Sequence, residues 1–366
     1  MASVTLKSVW KYYGKTVAVR DLDLECADNS FLCILGPSGC GKSSTLRMLA
    51  GLEHISAGDV LFDAQRVNDL PPAARDIAMV FENYALYPHK TVYDNIANPL
   101  RLRNITGAAA EAKVKKAAEM LEIGHLLQRK PQELSGGQKQ RVAIGRAIVR
   151  EPRLFLFDEP IAHLDAKLRA HMRGELKHLQ RELGTTTIYV THDQMEALSM
   201  ADQIAVMHQG VLQQLGTPEQ IYNQPVNEWV AGFVGDPPMN FLDCTLESRD
   251  GRTAACRSFM RVPLTPQHAR LIAEAGAPAK LRLGVRPDDL AIALGAGGGE
   301  DGLRGEIFVV EPVGGDTLVD VKLAEGERVL VRSRAAFRAE PGTPCTVTAN
   351  AERLHLFAPQ DGRAYF

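Results

Sequence analysis

The sequence predicts an α/β domain interrupted by a block of helices and followed by an all-β domain. Up to about residue 235, short apolar strands alternate with helical patterns, as in an α/β sheet. Residues from about 92 to 150 show helical spacing only, which favours an inserted helical subdomain at about 88–152. Beyond residue 235, strand-like runs separated by glycine and proline turns predict a small β-barrel or sandwich over 236–366.

The predicted strands of the first domain are short runs rich in Val, Ile, Leu and Phe. They are Val4–Val9, Phe31–Leu35, Asp59–Phe62, Ile77–Phe81, Leu154–Phe157, Thr187–Thr191 and Ile204–Met207. The inserted helices are Val92–Leu102, Ala108–Ile123 and Gly137–Val149. A further helix, Asp165–Leu183, carries leucines and a methionine at helical spacing, which we interpret as core packing.

The second domain is marked by turn signals at 295–299, 314–315 and 341–342. The strands predicted between such signals are Leu281–Val285, Gly305–Val310, Leu318–Leu323, Val329–Arg332 and Cys345–Ala349. Their short, regular spacing is typical of a small closed or two-layered β-structure.

The bulk composition is that of an ordinary globular protein. The 366 residues suggest two or three domains, and 45% are hydrophobic while 23% are charged. The formal net charge of −2 gives no reason to expect a nucleic-acid partner. The six cysteines are scattered without a C-x-x-C pair, which favours reduced thiols over disulfides or a zinc site.

The sequence also bears on location. The first residues contain several lysines and no long apolar core, and no apolar run reaches the length of a membrane span. We therefore expect a cytosolic protein, or one bound peripherally to the cytosolic face of a membrane.

The segment Gly36–Ser43 fits the phosphate-binding pattern G-x-x-x-x-G-K-[ST]. It follows an apolar strand and precedes a predicted helix, so backbone N–H groups and the helix N-terminus would converge on one phosphate. A chance glycine-rich turn is the alternative, but it would not need this context. Lys42 would reach the β- and γ-phosphates, and Ser43 would ligate Mg²⁺. The nucleotide-binding residues predicted here are Ser38, Gly39, Cys40, Gly41, Lys42, Ser43 and Ser44. We interpret Cys40 as a small residue that fits the loop, because no neighbouring His or Asp would activate a nucleophile.

A second strand, Leu154–Phe157, ends in Asp158 and Glu159. Phosphoryl transfer needs a metal-binding acid and an acid that orients the attacking water. We therefore predict Asp158 as an Mg²⁺ ligand and Glu159 as the catalytic base. The alternative is that the two acids cap the following helix.

The segment Leu134–Gln138, LSGGQ, opens a predicted helix and resembles the signature motif of the ATPase subunits of ABC transporters. The phosphate loop, this motif, the acidic pair and His192 occur in that family's order and spacing. Independently, a serine and two glycines at a helix start predict a second anion site. The resemblance implies that this site serves the ATP of an opposing subunit, so that two chains sandwich two ATP molecules. The residues assigned to that contact are Arg129, Leu134, Ser135, Gly136, Gly137, Gln138 and Asp165.

The resemblance implies roles for further residues. Tyr13 stands where the family stacks an aromatic ring on adenine, whereas Tyr12 is interpreted as a strand residue; simple core packing is the alternative for either ring. His192 corresponds to the switch histidine that contacts the γ-phosphate, and it joins Glu159 and Lys42 as the catalytic set. The position of Asp165 is that of a loop crossing the dimer interface.

Two positions depart from the family pattern. Glu82 stands where the family usually has a glutamine that binds Mg²⁺, and Ala162 stands where it commonly has serine. Glu82 can still bind the metal but adds negative charge beside the triphosphate. The expected consequences are slower hydrolysis, altered metal preference or pairing with a different ATPase chain. Since Lys42, Asp158 and Glu159 remain, we predict an active ATPase.

Several stretches resemble the ATPase subunits of carbohydrate importers of the maltose and glycerol-3-phosphate type. These are 84–89, 230–235, 239–242, 284–287 and 354–357. The resemblance implies a P-loop ATPase domain over 1–235 and an OB-like regulatory domain over 236–366. Importers of polyamines, iron or sulfate share this layout and remain alternatives.

The resemblance also implies partners. They are a second ATPase chain, identical or different, two membrane-spanning permease subunits, an extracytoplasmic solute-binding protein acting indirectly, and a regulatory protein at the last domain. The expected location is the cytoplasmic face of the inner (plasma) membrane. Two competing functions are consistent with an ATPase of this kind. A soluble ABC ATPase acting on DNA or ribosomes is disfavoured by the near-neutral charge, whereas Glu82 leaves open a mainly regulatory chain in a heterodimeric pair.

Overall fold

The computed structural model describes residues 2–249, 251–295 and 301–365. It forms two compact units, Met1–Pro218 and Glu219–Phe366, so the division lies ahead of residue 235. The first unit is α/β and the second is mainly β, which confirms the predicted fold class. Among the described residues, no helix has the length and apolar character needed to cross a bilayer. All six cysteines are buried, with free thiols.

The first unit contains strands β1 to β10 and helices α1 to α6. The strands are β1 (Val4–Tyr13), β2 (Thr16–Cys26), β3 (Phe31–Leu35), β4 (Ala57–Phe62), β5 (Gln65–Arg66), β6 (Ile77–Val80), β7 (Leu154–Asp158), β8 (Thr186–Thr191), β9 (Gln203–His208) and β10 (Val211–Gly216). The helices are α1 (Lys42–Ala50), α2 (Val92–Leu102), α3 (Gly107–Met120), α4 (Gly136–Ile148), α5 (Ala166–Leu183) and α6 (Gln194–Met200). Short 3-10 turns lie at Pro72–Ala74, Gly124–Leu126 and Pro131–Glu133.

A largely parallel sheet in the order β10-β9-β3-β8-β7-β6 forms the centre of this unit. Strands β3, β7 and β8 are buried along their whole length and run parallel. Leu35 pairs with Thr191, and Asp158 pairs with Val190. Because the carboxyl ends of parallel strands share one edge, the segments that follow β3, β7 and β8 lie side by side.

A separate antiparallel sheet has the order β2-β1-β4-β5. The predicted strands Val4–Val9 and Asp59–Phe62 belong to it, so they are not part of the α/β alternation. Strands β2 and β10 were not predicted. The face of β2 that includes Leu22 and Leu24 is buried, but charged residues alternate with these and obscure the apolar run.

The inserted helices α2, α3 and α4 pack together within the predicted subdomain range. Gly145 of α4 allows close approach, because a Cβ there would lie 3.2 Å from the terminal methyl of Ile96 on α2. On α5, Met172, Leu176 and Leu179 are buried, which confirms core packing for that stripe.

The second unit begins within α7 (Pro218–Asn223) and contains α8 (Glu228–Phe233), α9 (Pro266–Glu274) and strands β11 to β21. The strands are β11 (Asn240–Arg249), β12 (Arg252–Arg257), β13 (Met260–Pro263), β14 (Lys280–Val285), β15 (Leu290–Leu294), β16 (Gly302–Pro312), β17 (Asp316–Leu323), β18 (Arg328–Arg334), β19 (Pro344–Ala349), β20 (His355–Phe357) and β21 (Ala364–Tyr365). Short 3-10 turns lie at Pro287–Asp289, Ala324–Gly326 and Ala351–Arg353.

One antiparallel sheet runs β15-β19-β16-β13-β12-β11-β14-β20-β21, and β17 joins β16 to β18. Its buried face includes Leu283, Val319, Val331 and Val347. The five strands predicted here are present with longer ends. Most of the turn predicted over 295–299 lies outside the described residues.

Candidate active site

The phosphate loop joins β3 directly to α1. Gly39 and Gly41 have φ angles of 78° and 104°, which favour glycine. A Cβ on Gly41 would also lie 2.5 Å from the carbonyl oxygen of Ala18, whereas one on Gly39 would have nothing within 4 Å. The loop therefore depends on glycine at position 41 for two separate reasons.

A Gly41→Ala variant is expected to lose about 2–3 kcal/mol of unfolding free energy, because positive-φ strain adds to a backbone clash. Gly39→Ala is the matched control and should lose only about 1 kcal/mol, since it has the strain without the clash. Urea denaturation of both full-length variants measures the difference. Equal losses would show that the contact with Ala18 is unimportant.

Lys42 is 4% exposed at the first position of α1. Its Nζ donates to the carbonyl oxygens of Gly36 and Pro37, at 2.9 and 3.1 Å. The loop thus holds the ammonium group against its own backbone. Cys40 is buried beside it, and burial raises the pKa of the thiol, which supports the interpretation of a small packing residue.

The predicted metal ligands Ser43 and Asp158 are in contact, with the serine Oγ donating to Oδ1 at 3.0 Å. Burial raises the pKa of the Asp158 carboxyl. The Ser43 hydrogen bond and the charge of Arg47 act in the opposite direction, and the charges of Glu159 and, least, Glu82 raise it further. The hydroxyl of Ser43 and the carboxylate of Asp158 are hard oxygen ligands of the kind that Mg²⁺ prefers. The donor chemistry therefore fits this ion.

Glu159 and His192 form a second pair, in which Oε2 of Glu159 lies 2.7 Å from Nδ1 of His192. Glu159 has φ of 45°, which is uncommon for a residue with a side chain, and its N–H donates to the carbonyl oxygen of Val190 at 3.0 Å. Strained backbone is often concentrated in active sites. The arrangement fits a carboxylate that is oriented by an imidazole.

Glu82 follows β6 and is about half exposed. Its Oε1 lies 3.4 Å from Nε2 of His163, a residue that the sequence analysis did not select. His163 lies in the same loop as Asp165. No sequence signal links positions 82 and 163, because the contact joins loops that follow two different strands.

Tyr13 lies beside the phosphate loop. Its hydroxyl is 3.4 Å from Oγ of Ser44, its ring is 4.7 Å from Nζ of Lys11, and the side chain is 43% exposed. Tyr12 instead stacks on Trp10 with ring centroids 5.8 Å apart. Of the two tyrosines, Tyr13 is the one with an available ring near α1.

Ser135 is the N-cap of α4, and it exchanges hydrogen bonds with Gln138 in a capping box. Ser135 and Gly136 are exposed, whereas Leu134 is buried. A Cβ on Gly137 would lie 2.7 Å from Cδ2 of Leu168, so this glycine serves the packing of α4 against α5. Both Gly136 and Gly137 were predicted to bind an anion, and the packing role of Gly137 was not predicted.

The other two predicted cross-subunit residues are also exposed. Asp165 caps α5 by accepting from the N–H of Leu168 at 3.0 Å. The carbonyl oxygen of Arg129 accepts from the N–H of Val92 at 2.8 Å, at the start of α2. The structure therefore brings Lys42, Ser43, Asp158, Glu159 and His192 to one edge of the sheet. In the set assigned to the second site, Arg129, Ser135 and Asp165 are exposed, whereas Leu134 and Gly137 are buried.

Three structural residues around the site were missed. Arg169 donates to Asp193 and to the backbone of the loop that contains Asp165. Arg146 donates to the carbonyl oxygens of Tyr84 and Ala85. Buried Glu196 accepts from the hydroxyls of Tyr189 and Thr191. A charged residue on an amphipathic helix usually indicates a solvated face, so no pattern in the sequence distinguished these three residues.

Three family models match parts of the chain. ABC transporter matches residues 19–162, the MalK OB fold domain matches 235–290, and the TOBE domain matches 283–357. The first contains the phosphate loop, the signature and the acidic pair. The other two confirm the OB-like character of the second domain.

Similar proteins match along the whole chain. The trehalose/maltose import ATP-binding protein MalK of Thermococcus litoralis is 47% identical, with 100% of both chains covered. The sn-glycerol-3-phosphate import ATP-binding protein UgpC of Cupriavidus pinatubonensis is 46% identical, with 99% of both covered. A dimeric ATP-binding cassette solved in a post-hydrolysis state with ADP and phosphate is 32% identical, has a TM-score of 0.54, and covers 59% of this chain and 98% of its own. With this identity over its full length, the chain belongs to the ABC transporter family and is an ATP-binding ATPase subunit of that family.

Proposed function

We propose that this chain is the ATPase subunit of an importer that takes up a carbohydrate or a related small solute. The observation that carries the proposal is an identity of 45–47% to three ATP-binding proteins over 98–100% of this chain. Their names describe import of trehalose/maltose, import of sn-glycerol-3-phosphate and transport of sulfoquinovosyl glycerol. The proposed location is peripheral, on the cytoplasmic face of the inner membrane.

The site geometry supports a division of roles in ATP hydrolysis. Lys42 and the backbone N–H groups of the phosphate loop bind the phosphates, and Tyr13 stacks on the base. Glu159 accepts a proton from the attacking water, and His192 holds that carboxylate and contacts the γ-phosphate. Ser43, Asp158 and Glu82 would hold Mg²⁺, which when bound neutralises charge on the phosphate oxygens.

The second anion site favours a composite arrangement between two chains. Ser135, Arg129 and Asp165 are exposed, and the similar solved cassette is dimeric with ADP and phosphate. In the proposed dimer, Ser135 at the start of α4 contacts the ATP held by the opposing phosphate loop. ATP then stabilises the closed dimer, and loss of the γ-phosphate contacts opens it.

The proposed contact with the permease subunits involves the loop after Glu82. Buried Asn95 accepts from the N–H of Tyr87 at 2.8 Å, and Arg146 donates to the carbonyl oxygens of Tyr84 and Ala85. Tyr87 itself remains 39% exposed. A loop whose backbone is fixed by these hydrogen bonds, and which has an exposed aromatic ring, is suited to docking against a permease subunit. A regulatory protein would bind the β-rich unit.

Affinity purification of the full-length chain from detergent-solubilised membranes, followed by mass spectrometry, tests the proposal. Two multi-span subunits together with a sugar-binding protein are the expected result. Binding proteins for polyamines, iron or sulfate would change the substrate class, and a second ATPase chain would indicate a heterodimer. Recovery of only soluble partners would overturn the transport assignment without affecting the ATPase assignment.

Glu82→Gln is expected to tighten ATP binding by about threefold to tenfold, because it removes a negative charge near the triphosphate; this corresponds to about 1 kcal/mol. ATP affinity should be measured with Mg²⁺, with Mn²⁺ and without metal. Glu111→Gln, at an exposed position on α3, is the matched control. Unchanged affinity in all three conditions would show that Glu82 lies too far from the nucleotide to matter.

A further inference from the structure

We propose that Arg169 is a positioning residue that couples the Asp165 loop, residues 161–165, to the turn that carries His192. The inference rests on the proposed function, in which the Asp165 loop meets the opposing subunit. It adds a residue that neither the sequence pattern nor the family motifs selected.

The guanidinium of Arg169 has contacts on both sides. Nη2 donates to the carbonyl oxygens of Ala162 and Leu164, at 3.2 and 3.1 Å. Nη1 donates to Oδ2 of Asp193 at 3.0 Å. A planar guanidinium with several donors fixes the relative position of the groups it joins more strictly than a single ammonium does.

Asp193, which accepts a hydrogen bond from Arg169, is itself fixed by further hydrogen bonds. The other oxygen of Asp193, Oδ1, caps α6 by accepting from the N–H of Met195 at 2.8 Å. The Asp193 N–H donates to Oγ1 of Thr191 at 2.9 Å, and that hydroxyl donates to buried Glu196 at 2.7 Å. His192 therefore lies between two anchored residues, which fix the position of its backbone.

The Asp165 loop, at the other end of the Arg169 contacts, lies next to a proposed metal ligand. His163, within the Asp165 loop, lies 3.4 Å from Glu82, whose charge acts on Asp158. His192 lies 2.7 Å from Glu159. Arg169 thus transmits a movement of the Asp165 loop to His192, which orients the proposed base Glu159. The same loop contacts Glu82 through His163.

The side chain of Arg169 is 28% exposed, but its buried Nε supports a role beyond packing. Its Nε is buried without a hydrogen-bond partner among the described residues. Leaving a buried donor unpaired is costly, and a hydrophobic residue of similar size could pack without that cost. The guanidinium is explained by the three contacts it makes across the two loops.

The test uses the full-length chain with Arg169→Met, Arg169→Lys, Asp193→Asn and the Met/Asn double variant. Asparagine keeps an oxygen that can cap α6 but loses the charge that pairs with Arg169. Each single variant is expected to lower kcat about 10- to 100-fold while the Kd for ATP changes less than about threefold, because the link between the Asp165 loop and His192 is disturbed while the phosphate loop is not. The double variant should be no worse than the more impaired single one.

The outcomes separate this inference from the proposed function. Glu159→Gln serves as a reference for loss of turnover. If it loses turnover while Arg169→Met and Asp193→Asn keep kcat within about twofold of the wild type, the coupling is wrong and the ATPase assignment stands. The coupling would also be overturned if the losses of kcat in the two single variants added in the double variant, or if the Kd for ATP rose as much as kcat fell. If Arg169→Met does not fold, Arg169→Lys and Asp193→Asn decide by the same criteria. Normal turnover by Glu159→Gln would instead indicate failure of the proposed site.

Discussion

Replacing Glu159 with glutamine is expected to lower the turnover of ATP about 10²- to 10⁴-fold while ATP still binds. Glutamine preserves the size of the side chain but cannot accept a proton from the attacking water. Its amide can still contact His192, which lies 2.7 Å from the native carboxylate. Bound ATP should therefore persist, and the proposed closed dimer should accumulate.

Phosphate release measures turnover, and size-exclusion chromatography with ATP and Mg²⁺ measures the dimer. Glu182→Gln, at a half-exposed position on α5, is the control for loss of a carboxylate without loss of the base. Normal turnover by Glu159→Gln would remove Glu159 from the role of general base. Loss of ATP binding would mean that the residue acts in binding instead.

Replacing Lys42 with alanine is expected to weaken ATP binding by about tenfold or more and to abolish turnover. Each charge-assisted hydrogen bond to a phosphate contributes about 1.5–3 kcal/mol, so loss of one or two weakens binding by about 10- to 10⁴-fold. Lys42 is buried, and its ammonium group already lies at the loop.

Equilibrium binding of ATP to the full-length variant measures this effect. Lys115→Ala, on the exposed face of α3, is the control for a general change in charge. Retention of ATP affinity within about threefold by Lys42→Ala would contradict the assignment of the phosphate loop. Lys42→Ala and Glu159→Gln should therefore differ in binding although both lose turnover.

The residues of the first anion site could be predicted because each follows a short, fully buried strand. The runs before Gly36 and Asp158 are continuous and apolar, as parallel central strands require. His192 follows a strand of the same kind. Such local patterns are visible in sequence.

Other parts of the site depend on contacts between distant segments and leave no local pattern. His163 meets Glu82, and Arg169 meets Asp193, only because strands β6, β7 and β8 are neighbours in the sheet. The positive φ of Glu159 has no sequence signal either, since glutamate does not favour that region.

The all-β domain was predicted as a class, but several of its strands were not. Strand β11 has the exposed residues Asp243, Thr245 and Glu247 on one face, so its buried positions are separated by polar ones. Alternating patterns of this kind are weaker than the continuous runs of the first domain. Apolar sequence alone did not decide the outcome, since strand β15 reads LAIAL and was not predicted.

The shared edge of the parallel sheet has a consequence for the stability of the whole unit. Leu35 pairs with Thr191, so segments far apart in the chain must assemble before any nucleotide site exists. An unfolded or partly assembled chain offers ATP nothing comparable, and mass action then favours the complete sheet by about 2.7 kcal/mol at 100 times the Kd. The cellular ATP supply would thus act as a folding ligand for the unit that consumes it.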